Sequence, residues 1–106
     1  MSSFIKLGAF LNGSGPHGGI WRHEHIDTEE LGTFAYYCKL ASRLQDGKFD
    51  VIFMNDTISS GLFDPELIEK NTAATRWDTL TLLAGLSVVT DRIGLVGTAN
   101  TTYNEP

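Results

Sequence analysis

Phe49-Asp50-Val51-Ile52-Phe53-Met54 (residues 49–54) is the stretch on which the fold turns. From Val51 to Met54 every side chain is apolar, so both faces of an extended segment would be greasy. A strand in a parallel sheet covered on both sides needs that pattern, whereas a half-exposed strand alternates. Asn55 and Asp56 then end the run. Upstream, Phe4 to Leu11 (FIKLGAFL) reads as another short strand, stopped by the turn residues Asn12-Gly13-Ser14-Gly15-Pro16. Downstream, Ile93 to Thr98 (IGLVGT) reads as a third.

Helical patterns fill the intervals. Asp27 and Glu30 have the spacing of a capping box, with Asp in place of Ser or Thr. After them Leu31, Phe34, Ala35, Cys38, Ala41 and Leu44 recur at three- and four-residue steps, which predicts one apolar helix face ending near Gly47. Asp78 is placed to cap a second helix over TLTLLAGLSVVT. Residues 57–77 contain Gly61 and Pro65 and show little periodicity, which predicts a long loop, functional or disordered. The order strand, helix, strand, helix, strand implies right-handed crossovers and a parallel sheet of the α/β class. Three such strands alone leave both sheet edges uncovered. The expectation is therefore a truncated piece of a larger domain.

Composition narrows the function. The 106 residues carry a net charge of −5 and no Lys/Arg run, so the clustered cations that phosphate backbones require are missing and nucleic acid is not an expected partner. No apolar stretch is long enough to span a bilayer, and MSSFIKLGAF lacks the layout of a secretion signal. Cys38 is a lone cysteine and can form no internal disulfide; a cytoplasmic location fits these features.

In parallel α/β folds ligands gather at the carboxyl ends of the strands, here residues 12–26, 55–77 and 99–106. Gly13-Ser14-Gly15-Pro16-His17-Gly18 matches the letters of a dinucleotide fingerprint, but no helix receives its last glycine and no acidic residue follows at the required distance. A flexible turn is the better reading. His17, His23 and His25 lie near Glu24 and Asp27, yet their spacing fits no standard metal site, and no metal is expected. A place lining a substrate pocket suits such histidines better, and His25 suits solvent better still. Trp21 and Trp77 each serve either as packing anchors or as pocket walls. Asp56 can accept hydrogen bonds from a ligand or from neighbouring loop amides, or cap its own turn. Thr98, Asn100, Thr101 and Thr102 put small polar groups at the end of the third strand, suited to a polar ring or a phosphate and equally to ending a strand. No nucleophile–base pair and no phosphate loop occurs, so the catalytic groups are not identified and a cofactor is expected to carry the chemistry.

The segments LGAFL, IWRHE, GKFDVIFMNDT and TLLAGLSVVTDRIGLVGTANTTYNEP resemble the opening of luciferase-like flavin-dependent monooxygenases. They are most similar to the branch of the nitrilotriacetate and dibenzothiophene-sulfone monooxygenases. The resemblance spans nearly the whole chain, is weakest over residues 57–76, and is most specific at T-T-Y-N-E-P. It implies the first three βα steps of a TIM (β/α)8 barrel, with residues 1–106 as the N-terminal part of that single domain. It also implies reduced FMN supplied by a separate NAD(P)H-dependent flavin reductase, with O2 and a small organic substrate as the other reactants. The remainder of the barrel, or a homo-oligomer, is the implied protein partner. Asp56 matches the acidic flavin-site residue after the second strand; Thr101, or Thr102 with a shift of one, matches the hydroxyl residue that contacts FMN. His17, Trp21 and His23 match the first-loop region near flavin and substrate. The family's phosphate-binding residues fall in later strands. Glu24 stands where the branch has proline, Asn55 where it has a small apolar residue, and Asn100 where it has serine, which leaves the substrate open. Two other readings are a deazaflavin-dependent reductase of the same fold, which T-T-Y-N-E-P argues against, and a non-catalytic α/β fragment or binding module from a split or degraded gene.

Overall fold

The computed structural model describes residues 4–11, 19, 22–56, 77–102 and 105. Within them β1 (Gly8–Phe10), α1 (Phe34–Asp46), β2 (Val51–Met54), α2 (Thr79–Ser87) and β3 (Gly94–Gly97) follow in that order. The three strands form one sheet in the order β1-β2-β3, and both pairings are parallel. Gly8 lies opposite Val51 and Val51 opposite Gly94, so the strands run in step without stagger. The α/β architecture expected of the first βα steps of a barrel is therefore present.

Strand pleating divides the side chains between two faces. Ile52 and Met54 are buried against the helices, in a core with Leu11, Tyr37, Ala41, Leu82, Leu83, Leu86 and Ile93. Each fully buried aliphatic side chain there contributes about 1.5–3 kcal/mol. The other face carries Phe10, Val51, Phe53 and Val96. Phe10 and Phe53 pack with ring centroids 5.4 Å apart, yet Phe10 is 56% and Val96 46% exposed. This face is apolar, and no described residue covers it.

Three expectations need correction. Helix α1 starts later than the Asp27/Glu30 capping box predicts. Asp27 Oδ1 does accept the N–H groups of Glu29 and Glu30, but only a single turn forms. Gly32 then takes φ +77°, outside the helical region, and breaks that turn. The cap is Thr33, whose hydroxyl accepts the Tyr36 N–H at 3.2 Å. The buried face is rotated as a result. Tyr37 and Ala41 are buried, with Cys38 and Leu44 partly so, while Phe34 and Ala35 are exposed. At the far end the helix closes on Gly47, as expected, but the left-handed residue is Lys48, φ 63°. Lys48 N–H reaches Gln45 O and Phe49 N–H reaches Leu44 O, the paired bonds of a Schellman ending. The strands, finally, are shorter than the segments read as strands: β1 keeps only Gly8–Phe10 of residues 4–11, β2 Val51–Met54 of 49–54 and β3 Gly94–Gly97 of 93–98.

Helix α2 starts as predicted on Asp78 but ends at Ser87, before the Val88-Val89-Thr90 that the sequence reading included. Asp78 Oδ1 accepts both the N–H and the hydroxyl of Thr81, at 2.8 and 2.6 Å. Its close seat on β3 depends on Gly97, where a Cβ would lie 2.5 Å from Thr79 Cγ2 and 2.7 Å from Leu83 Cδ1.

Polar side chains fasten the amino-terminal ends of the strands. Asp50 accepts the Leu7 N–H and the Lys6 ammonium, each at 2.9 Å. Gln45 Oε1 accepts the N–H groups of Asp91 and Arg92 just before β3.

Candidate functional site at the carboxyl rim

Parallel pairing brings the ends of β2 and β3 together, and with them Asp56 and the 98–102 turn. The ladder continues one step past the strands, Thr98 N–H to Met54 O at 3.1 Å. Side chains then take over. Asp56 N–H donates to Thr98 Oγ1 at 2.7 Å, and Asn100 N–H donates to Asp56 Oδ2 at 3.1 Å. Asn100 Oδ1 in turn accepts the Thr102 N–H at 2.8 Å, so the turn is held from within as well.

Asp56 accepts from a neighbouring loop amide, as one sequence reading allowed: one carboxylate oxygen fixes the 98–102 turn. Among the described residues its Oδ1 accepts no hydrogen bond, and the Thr98 hydroxyl has its own proton to donate. Thr101 and Thr102 are exposed on the same turn. The rim therefore offers a carboxylate oxygen and several hydroxyls, a donor set that fits the nitrogen and oxygen edge of a heterocycle.

The other predicted positions are distributed differently. His23 is exposed; its Nδ1 accepts the His25 N–H at 3.3 Å and the two rings lie 5.3 Å apart. Its turn is closed by Ile26 N–H to His23 O. These bonds are local and do not join His23 to the Asp56 group. His17 and Trp21 lie outside the described residues. Trp77 is a packing anchor that stays 43% exposed: its indole N–H donates to Gly32 O at 2.6 Å and its ring tilts against Phe34. Among the described residues, no three His, Cys, Asp or Glu side chains gather as metal ligands, and no helix is long and apolar enough to cross a membrane.

Thr98 is the rim residue whose role sequence reading did not resolve. It bonds Asp56 across 42 positions, and only the strand register determines that pairing.

No family-level profile matches the chain. Individual proteins do. N-acetyl-S-(2-succino)cysteine monooxygenase of Bacillus subtilis (strain 168) is 39% identical over 103 residues, covering 96% of this chain and 22% of that protein. Nitrilotriacetate monooxygenase component A of Aminobacter aminovorans is 35% identical, covering 96% of this chain and 24% of that protein. Long-chain alkane monooxygenase of Geobacillus thermodenitrificans (strain NG80-2) is 30% identical, covering 100% of this chain and 26% of that protein. The chain spans about a quarter of the length of these relatives. Over nearly its whole length the chain is therefore similar to a part of the luciferase-like monooxygenases.

Proposed function

We propose that residues 1–106 form the N-terminal part of one (β/α)8 barrel in a two-component monooxygenase. The reactants are reduced FMN from a separate NAD(P)H-dependent reductase, O2 and a small organic substrate, and the setting is the cytoplasm. The observation that carries this reading is the joining of Asp56 to the Thr98–Thr102 turn at the carboxyl rim, where parallel barrels bind ligands. The word "component" in the name of the Aminobacter relative supports a separate reductase.

Asp56, Thr101 and Thr102 would hold the flavin's polar edge. His17, Trp21 and His23 would line the substrate side. When bound, reduced flavin supplies the electrons that activate O2. This chain's own residues bind and orient. The Asp56 carboxylate would accept a donor of the flavin, and the threonine hydroxyls would donate to its acceptors. The apolar Phe10–Phe53 face, once covered by the remaining barrel, keeps water from beneath the site.

The test joins these residues to the rest of the barrel and follows FMN by fluorescence quenching. FMN should bind, and Asp56→Ala should weaken it at least about tenfold, as expected for a lost hydrogen bond to a charged group. An unchanged FMN affinity would remove Asp56 from the site. Binding of a deazaflavin in preference to FMN would instead favour the reductase reading.

A further inference from the structure

We propose that Thr98 is a positioning residue that sets the Asp56 carboxylate for its ligand. The inference rests on the flavin-site reading of Asp56 and adds a residue to which neither the resemblance nor the relatives assign a role.

The bonds at the rim form a closed exchange between two strand ends. Asp56 gives its N–H to the Thr98 hydroxyl oxygen, and Asn100, two residues beyond Thr98, gives its N–H to the Asp56 carboxylate. The first bond fixes the backbone of Asp56 where the chain leaves β2. The second fixes the side-chain rotamer by holding Oδ2 toward β3. With Oδ2 engaged, Oδ1 is the oxygen presented to a ligand.

A side chain on a post-strand segment otherwise rotates among staggered wells, and a ligand would have to select one of them. The clamp removes that selection. It also orients Thr98: with its oxygen accepting from Asp56 N–H, the hydroxyl proton points elsewhere. Thr98→Val keeps the shape and the β-branch but cannot accept, leaving the Asp56 N–H without its partner. Thr98→Ser keeps the acceptor.

The experiment uses the complete protein that carries this chain and reads two quantities, the FMN dissociation constant and the hydrogen-exchange rate of the Asn100 amide. Thr98→Val should speed exchange at Asn100 and weaken FMN, each by about fivefold or more, and Thr98→Ser should restore both. Asp56→Asn, which keeps an acceptor oxygen, should protect the Asn100 amide better than Asp56→Ala does. If Thr98→Val speeds exchange but leaves FMN affinity intact, while Asp56→Ala weakens it, the clamp is only structural and the proposal fails although the flavin reading survives. If Asp56→Ala also leaves FMN binding intact, the flavin reading of Asp56 has failed and the proposal falls with it. An Asn100 exchange rate unaltered by Thr98→Val would show that the two bonds are not linked, and would likewise overturn the proposal.

Discussion

Two carboxylates show how single residues hold this chain. The N–H of Leu7 and then the ammonium of Lys6 hold the Asp50 carboxyl below its ordinary value of 3.8. The hydroxyl and then the N–H of Thr81 do the same for Asp78. A carboxylate whose acidity is increased on folding stabilises the fold fully above its unfolded value and loses that contribution as it protonates. Stability should therefore decline as the pH falls below 3.8. Denaturant titrations of Asp50→Asn and Asp78→Asn should show a flatter decline over that range, because the amides cannot titrate. Asp78 is exposed and Asp50 partly so, which makes the effect of each modest and weakens it with salt.

At the scale of elements, the seat of α2 on β3 is the tightest constraint. Gly97→Ala would place a methyl inside Thr79 and Leu83 and should cost about 1–3 kcal/mol, the usual range for overpacking. Thermal unfolding of the complete protein would measure it, and an unchanged midpoint would mean that α2 shifts freely. Elements whose signals are local were legible in the sequence. The Val51–Met54 run and the Asp78 cap each depend on a few adjacent residues, and both stand where expected. The start of α1 was not legible. Asp27 and Glu30 carry the capping chemistry, but Gly32 interrupts the backbone behind them, and glycine also occurs inside helices, as Gly85 does in α2. Phe34 was assigned to the buried face, but its ring lies at the margin of the helix pair, against Trp77 and Gly85, and stays 39% exposed. The rim was half legible. Asp56 announces itself by ending an apolar strand, but its exchange with Thr98 and Asn100 exists only once two strands are in register.

For the molecule as a whole, the sheet face that no described residue covers dominates. Phe10, Val51, Phe53 and Val96 line it, and β1 and β3 each pair on one side only among the described residues. Burial of both faces is the rule for parallel sheets. We therefore expect the 106-residue piece alone to bind a hydrophobic dye such as ANS and to melt without a sharp transition. Addition of the remaining barrel should suppress the dye signal. A cooperative melt of the isolated monomer would count against its being part of one larger domain.

Strand β2 is fastened at opposite corners. At its beginning the Asp50 carboxylate grips the segment entering β1, and just past its end the Asp56 carboxylate grips the segment leaving β3. Sliding β1 along β2 strains the first latch and spares the second; sliding β3 does the reverse. Each neighbour's register on the central strand is thus held by a latch of its own.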